Sequence, residues 1–442
     1  MGMDVRWKRK IGAAGVALIV AFASFGCGKE TLAENSEMIQ EDGQVSEAEE
    51  KQVLILEQQE EEIFQEREEI LQEREEILQE KEEPVRPKVK GIFVTGPMAG
   101  TSNMENLITL VEETELNAIV MDVKNDEGRI VYNMQIPVVE EIGAGTNYVS
   151  DMEALIAKCK EKNIYLIARI VAFKDPFLAD AKPEWCIRNQ DGSIFRDKDG
   201  LAWINPYDQE VWEYLLDIAQ EALRIGFDEV QFDYIRFSTD SGMKNVDFGE
   251  AAQEKSREEI ITDFVIYASE RIHKAGGAIS ADVYGVVIDS KIDQEIVGQN
   301  YVEMSQYLDY ISPMVYPSHY GPYNYNIPVP DAEPYRLVLE AMLSSKRVLA
   351  GISAPTVSGN MEEEYSVERT AALLPMENIT ARVRPWLQDF TATWVKGHIT
   401  YGPEEIRAQI QAVYDAGYEE WILWNAANRY TNDGLLREDE AE

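Results

Sequence analysis

Two aspartates, Asp233 and Asp282, are the side chains of this 442-residue chain best placed for chemistry. Asp233 lies in segment 229–237, where polar and apolar side chains alternate. Successive side chains of a β-strand point to opposite faces, so Asp233 would lie on the inner face of a buried strand. An ionised carboxylate there costs several kcal/mol unless it is paired or functional. The alternative is a purely structural ion pair, for example with Arg236.

Strand-like and helix-like segments alternate through residues 89–436. Strand and helix alternating eight times over about 350 residues predict a (β/α)8 TIM barrel of the α/β class rather than an open doubly wound sheet. The predicted strands are 90–95, 118–123, 165–171, 230–235, 278–284, 310–316, 384–390 and 421–425, and the predicted helices are 103–114, 152–162, 209–225, 258–275, 333–344 and 403–416.

Barrel active sites are built at the carboxyl ends of the strands, and the long inserts 176–207 and 317–330 would lie at that end. Neighbouring strands are about 5 Å apart, so Asp233 on the fourth strand and Asp282 on the fifth could face one glycosidic bond. A glycosidase needs two carboxyl groups, one to protonate the leaving oxygen and one to attack the sugar or activate water. The spacing does not assign these roles, and a structural ion pair remains the alternative for Asp282 and for Asp122.

Polar and aromatic side chains crowd the same predicted face. Sugar rings stack their apolar C–H faces on aromatic side chains, so such a cleft suits a carbohydrate substrate. Burial by Tyr234 or Tyr284 could raise the pKa of one acid, and Arg169 or Arg236 could keep the other ionised. The predicted substrate-binding residues are Asp122, Lys124, Arg169, Trp203, Tyr234, Arg236, Tyr284, Tyr316, His319, Trp386, Gln388, Asp389, Trp424 and Asn425.

Residues 1–27 predict an export signal. Four basic residues between positions 6 and 10 precede the apolar run 11–25, and Cys27 follows after one glycine. Cys27 resembles the lipidated cysteine of bacterial lipoproteins, which implies a membrane lipoprotein that faces outside. Plain secretion and an uncleaved anchor are the alternatives. The run is short for spanning a bilayer.

Residues 28–88 predict an acidic, partly helical stalk. The heptad Gln-Glu-Arg-Glu-Glu-Ile-Leu occurs at 65–71 and again at 72–78, which places apolar pairs along one helical stripe. Weak self-association through this coiled-coil-like stretch is the lesser alternative. Prolines 84 and 87 end the helix, the barrel follows at 89–436, and residues 437–442 form a tail.

Composition excludes several other functions. The formal net charge of −40 argues against nucleic acid as a partner, because phosphate binding needs a basic surface. The three histidines lack metal-binding spacing, and the sequence has no glycine-rich nucleotide loop and no Gly-x-Ser-x-Gly elbow. We therefore expect neither a metal nor a cofactor. Cys159 and Cys186 are expected to be buried thiols, with a bridge between them left open.

The strand segments together resemble the putative glycoside hydrolase domain family, first catalogued as a domain of unknown function. The resemblance rests on Lys-Gly-Ile-Phe-Val-Thr from 90, Ala-Ile-Val-Met-Asp-Val-Lys from 118, Val-Gln-Phe-Asp-Tyr-Ile-Arg-Phe from 230, Ser-Ala-Asp-Val-Tyr-Gly from 280, Ser-Pro-Met-Val-Tyr-Pro-Ser-His-Tyr from 312 and Arg-Pro-Trp-Leu-Gln-Asp-Phe from 384. That family is similar to TIM-barrel glycosidases of the amylase and chitinase type.

The amylase-like pattern implies that Asp233 is the nucleophile or base and Asp282 the proton donor. Amylase-like barrels usually carry Glu where this chain has Asp282, and chitinase-like barrels carry Glu where it has Arg236. A substrate-assisted chitinase mechanism is therefore not implied. Two alternatives are a catalytically silent barrel that binds glycan at the cell surface and a passive barrel carried by a functional stalk.

Overall fold

The chain divides into two units, residues 1–85 and residues 86–442. The computed structural model describes residues 86–352, 366–437 and 440, all in the second unit. The predicted signal segment, its Cys27 and the heptads lie outside the described residues.

Eight parallel strands close into a barrel, as the sequence predicts. Each strand pairs with the next along the chain, and the last pairs with the first through Lys90 and Trp421. The strands are β1 (Lys90–Val94), β2 (Ala118–Lys124), β3 (Tyr165–Val171), β4 (Glu229–Asp233), β5 (Ala278–Tyr284), β6 (Tyr310–Met314), β7 (Trp386–Gln388) and β8 (Trp421–Trp424).

Six longer helices follow six of the strands and cover the barrel. They are α1 (Asn103–Glu113), α2 (Met152–Glu161), α3 (Gln209–Arg224), α4 (Arg257–Lys274), α5 (Pro334–Leu349) and α6 (Pro403–Asp415). Two short helices, Lys291–Val297 and Tyr301–Met304, connect β5 to β6. A small antiparallel pair, Arg188–Asn189 with Val246–Asp247, joins the loops after β3 and β4.

The sequences of the helices explain where they begin and which side chains they bury. The Asp208 side chain caps α3, and Ser256 and Glu259 form a capping box at the start of α4. Along α3, buried apolar side chains recur every three or four residues and form one stripe against the strands. The main core therefore lies between the barrel and its helices.

Five predicted strands end earlier than expected: the first and eighth by one residue, and the fourth, sixth and seventh by two. The fourth ends at Asp233 rather than at residue 235, because Tyr234 adopts a left-handed backbone conformation with φ +50°. The seventh is confined to Trp386–Gln388, and Pro385, which has no backbone N–H to donate, lies just before it. Helix α5 is longer than predicted and ends at Leu349.

Alternate residues of β4 carry polar side chains into the barrel lumen at three levels. At the amino end, Glu229 and Arg384 form a fully buried, bidentate ion pair. In the middle, Gln231 donates to Ser312 at 3.2 Å. At the carboxyl end lies Asp233, so the strand period itself aims an acid at the face where barrel sites form.

Both Cys159 and Cys186 are free and buried, which settles the question of a bridge between them. Burial raises the pKa of each thiol to about 11. In residues 86–352, 366–437 and 440, no helix is long and apolar enough to cross a membrane.

The ion pair at the amino end generates a stability prediction. Arg384→Met should lower the free energy of unfolding by about 3–5 kcal/mol, because Glu229 would stay buried without a cation. Urea unfolding of the full chain measures this. The matched control is Lys158→Ala, which removes an exposed pair with Glu105 and should cost at most about 1 kcal/mol. Equal losses in the two variants would contradict the prediction.

Candidate active site

One guanidinium, that of Arg169, joins three carboxylates at the carboxyl end of the barrel. From β3 it donates to Asp122 Oδ1 on β2 at 2.6 Å and to Asp126 Oδ1, in the loop after β2, at 2.8 Å. Its Nε and Nη2 both donate to Asp233 Oδ2 on β4, at 3.0 and 2.6 Å. The Phe93 ring lies 5.3 Å from its guanidinium carbon. Three neighbouring strands are thus tied together by one cation.

Burial and Arg169 act in opposite directions on these acids. Burial raises the pKa of Asp122 to about 6, although Arg169 opposes it. Burial also acts on Asp126, but there the charge of Arg169 prevails and the pKa is lowered. Within the described part of the chain, no group of three or more His, Cys, Asp or Glu residues is arranged to hold a metal ion.

Asp282 has a different environment from Asp233. It is 1% exposed, and the indole Nε1 of Trp386 donates to its Oδ1 at 2.6 Å. Burial, and then the charge of Asp233, raise its pKa well above the usual range. Its Oδ2 makes no hydrogen bond with the described residues and is not among their fully enclosed polar atoms. The second oxygen is therefore not fully enclosed, although the carboxyl group as a whole is buried.

The register of β4 and β5 brings the two acids together. Phe232 pairs with Ala281, so Asp233 and Asp282 occupy the next positions on neighbouring strands. The left-handed turn at Tyr234 directs its own N–H to Asp233 Oδ1, at 2.6 Å. Such a conformation costs a non-glycine residue about 1–3 kcal/mol. The turn provides Asp233 with a third hydrogen-bond donor beside the two from the guanidinium.

A continuous set of aromatic side chains, which we call the aromatic wall, borders these acids. It extends from Trp386 beside Asp282 to a ring that is 68% exposed, Trp394. Burial, and then the charges of Asp282 and Asp233, raise the pKa of Tyr316, which places its hydroxyl near both acids. The aromatic wall comprises Phe93, Tyr316, Trp386, Phe390, Trp394 and Trp424, with centroid separations of 5.4 to 6.5 Å between contacting rings.

Nine more predicted site residues divide into three groups. His319 lies at the rim, its ring 5.2 Å from that of Tyr316. A second group lies together at the ends of β4 and β5 and in the loop after β3; it comprises Trp203, Tyr234, Arg236 and Tyr284. The third group lies away from both: Lys124, Gln388, Asp389 and Asn425.

Lys124 is fully buried and makes structural contacts. Its Nζ lies 2.8 Å from Asp175 Oδ2 and donates to the Val171 carbonyl at 2.6 Å. Asp175 in turn caps a short helix by accepting from Leu178 N–H at 2.7 Å. All the Lys124 contacts therefore hold the loop after β3.

The other three residues of that group connect loops at the carboxyl face. Gln388 donates to Asp331 at 3.1 Å. Asp389 accepts from the backbone and hydroxyl of Thr431, at 2.9 and 2.6 Å. Asn425 donates to the Arg429 carbonyl at 2.8 Å. They position the loops after β6, β7 and β8, which carry part of the aromatic wall.

Four site residues were missed from the sequence. Asp126 lies two residues after the end of β2, a position that could have singled it out. Phe93 occupies an inward position of β1, where strand alternation was a usable signal. Phe390 and Trp394 lie in the loop after β7, for which strand period gives no signal.

Asp122 generates a pH prediction. Its pKa is about 6 in the folded protein, against about 3.9 in an unfolded chain. The folded state then holds a proton that the unfolded state has lost, so stability should fall as pH rises from about 4 to about 6. Asp122→Asn should remove about 2–3 kcal/mol of this dependence. Urea unfolding across pH 4 to 8 measures it. Parallel profiles for the two proteins would contradict the assignment.

Comparison with known proteins supports the same fold and adds a family. The glycoside hydrolase domain of PgaB (BpsB) from Bordetella bronchiseptica is 10% identical, with a TM-score of 0.53 over 77% of this chain and 94% of that one. A hypothetical protein from Ruminiclostridium thermocellum is 38% identical over 43% of this chain and 97% of that one, with a TM-score of 0.41. No curated protein matches. Residues 91–430 match the family described as "Putative glycosyl hydrolase domain", so the chain belongs to that family, as its strand segments predict.

Proposed function

We propose that this glycosyl hydrolase domain cleaves glycosidic bonds of a poly- or oligosaccharide, with Asp282 as the proton donor and Asp233 as the nucleophile or base. The observation that carries the proposal is the contrast between these two neighbouring carboxyl groups. Asp233 accepts two hydrogen bonds from the Arg169 cation, whereas Asp282 is buried and its pKa is raised. Two neighbouring carboxyl groups in contrasting environments are what glycoside hydrolysis requires.

The steps follow from these environments. Asp282 transfers its proton to the glycosidic oxygen as the bond from that oxygen to the anomeric carbon breaks. Asp233 either attacks the anomeric carbon or takes a proton from the attacking water. Arg169 holds Asp233 in place through two hydrogen bonds, so it is a positioning residue for the reaction. If Asp233 attacked the sugar, a water molecule then displaces the sugar from Asp233 and gives its proton to Asp282. If Asp233 activated the water, it releases that proton to solvent and Asp282 takes up another from solvent.

The aromatic wall supports a saccharide chain rather than a single sugar. Its rings continue from Trp386, which donates to Asp282, to the exposed Trp394, stacked on Phe390 with an interplanar angle of 19°. Each exposed ring face offers a stacking surface for the C–H face of one sugar. Several sugar units can therefore bind beyond the pair of acids.

Substitution of each acid tests the mechanism. Asp282→Asn should lower kcat by about 10²–10⁴ on glycosides with poor leaving groups and much less on dinitrophenyl glycosides, which need no proton donor. Asp233→Asn should lower kcat by a similar or larger factor on both kinds of glycoside. The measurement is initial rates of the full chain on a panel of polysaccharides and aryl glycosides.

The matched control is Asp228→Asn, an acid at the opposite end of β4 that accepts from Leu166 N–H at 2.8 Å. It should keep near-normal turnover. Full activity of Asp233→Asn or Asp282→Asn would mean that the catalytic acids lie elsewhere. Saccharide binding without turnover in the wild-type chain would instead favour a silent glycan-binding barrel.

We also propose that the chain is exported and attached to the outer face of the cell membrane through a lipid on Cys27, with residues 28–88 as a stalk. The support is the order of basic residues, apolar run and cysteine in residues 1–27. A single acyl chain gives only reversible membrane binding, so two or more acyl chains are needed for stable attachment.

Lipidation is tested by metabolic labelling. Wild-type chain expressed in a bacterial host should incorporate an alkyne-tagged palmitate and partition into detergent. Cys27→Ser should lose the label, whereas Cys159→Ser, which alters a buried thiol, should keep it. Label retained in Cys27→Ser would exclude this anchor site.

A further inference from the structure

Arg236 is a buried cation that lies among aromatic rings rather than carboxylates. Its guanidinium carbon lies 4.5 Å from the ring centroid of Tyr284, 4.8 Å from that of Tyr234 and 5.0 Å from that of Trp203. Only 7% of the residue is exposed. We call these four residues the arginine cage.

Arg236 differs from the other two buried arginines of the barrel in its charged partners. Arg169 has three carboxylate partners and Arg384 has Glu229. Within 4.0 Å of Arg236 there is no carboxylate oxygen among the described residues. Its positive charge is therefore not offset by an acid of the described chain, although the chain as a whole carries a formal charge of −40.

Its hydrogen-bonding capacity is mostly unused. A guanidinium has five N–H groups in a planar fork. One nitrogen, Nη1, donates to the Phe237 carbonyl at 2.9 Å, and the described residues accept no further hydrogen bond from the group. None of the Arg236 nitrogens is among the fully enclosed polar atoms that lack a partner. The remaining donors are thus not fully enclosed, and a two-oxygen anion would match the fork.

A second cation lies beside the arginine cage. Lys174 Nζ is 4.8 Å from the ring centroid of Tyr234, and it has no ion pair with the described residues. Tyr234 directly follows Asp233, and Tyr284 lies two positions after Asp282. The two cations therefore lie next to the catalytic acids, at the ends of β4 and β5. The aromatic wall, by contrast, is built from β1 and β6 to β8 and their loops.

We propose that the arginine cage binds a carboxylate carried by a sugar of the substrate, so that the cleft selects an acidic saccharide. The inference rests on the proposed function, because the arginine cage borders the same cleft. Binding can be measured without turnover, so the experiment can contradict carboxylate binding and glycoside hydrolysis independently of each other. The carboxylate can belong to a hexuronic acid or to the lactyl ether of a muramic acid, and different ligands distinguish these sources.

The test is titration calorimetry of the full chain with matched ligands. Trigalacturonate is compared with its methyl ester, which keeps the sugar and removes the charge. N-acetylglucosaminyl-N-acetylmuramic acid is compared with di-N-acetylchitobiose in the same way. Wild-type protein should bind at least one acidic ligand about 10–100-fold more tightly than its neutral partner, as expected for charge-assisted hydrogen bonds. The acid that shows the preference identifies the source.

Three variants complete the test. Arg236→Met should abolish the preference and leave binding of the neutral ligand within about twofold, whereas Arg236→Lys should keep part of the preference. Arg257→Met is the matched control, because Arg257 also stacks on two rings, Phe237 and Phe248, and has no carboxylate partner. It should keep the full preference.

The outcomes decide between binding and structure. Equal affinity of the wild-type chain for the acidic and neutral ligands, or no binding of either acidic ligand, overturns the proposal. An equal loss of affinity for acidic and neutral ligands in Arg236→Met also overturns the proposal, because the arginine would then only support the fold. A preference for an acidic ligand that is lost in Arg236→Met upholds it, even if Asp233→Asn and Asp282→Asn leave hydrolysis unchanged, whereas a preference kept in Arg236→Met overturns it.

Discussion

The carboxyl face of the barrel depends on the ion pairs of Arg169. Three carboxylates converge on its guanidinium, and acids so close together could not all be ionised in a buried site without a cation. The pairs also join β2, β3 and β4 through their side chains, in addition to the backbone ladder. Burial, and then the charge of Asp233, favour the protonated form of Asp282, the next acid around the barrel, although Arg169 opposes them.

The lumen separates structural charge from reactive charge. At the amino end, Glu229 and Arg384 neutralise each other away from solvent, with Tyr165 and Ser280 as additional donors. The uncharged pair of Gln231 and Ser312 lies between that level and the acids. Arg384 lowers the pKa of Asp282, but burial and the charge of Asp233 act on it more strongly. The pKa values at the carboxyl end are set mainly by burial and by the groups of that end.

Much of this arrangement could be predicted from the sequence, and the rest could not for physical reasons. Strand alternation is a local property, so β3 and β5 were predicted to the residue and Asp233 was placed in the lumen. Alternation also assigned Lys124 to the site, but the register shift between Asp122 and Lys124 ends the regular pattern, and Lys124 pairs with Asp175 instead.

Loop residues show the limit of such reasoning more clearly. Phe390 and Trp394 join the aromatic wall because the loop after β7 is held by three contacts, two within the loop and one with Asp331, 57 residues before Gln388. Gln388, which was predicted to bind substrate, makes two of these contacts. The sequence identifies such residues as polar or aromatic at a strand end. It does not reveal which neighbour each will contact.

The two sides of the cleft come from different parts of the chain. Both acids, their cation and the arginine cage lie between residues 118 and 284, whereas the aromatic wall, apart from Phe93, lies between 316 and 424. Mutations in the later loops can therefore alter which saccharide is held while the proton-transfer groups stay intact. Such a division would let relatives of this barrel change their saccharide substrate while they keep the same catalytic groups.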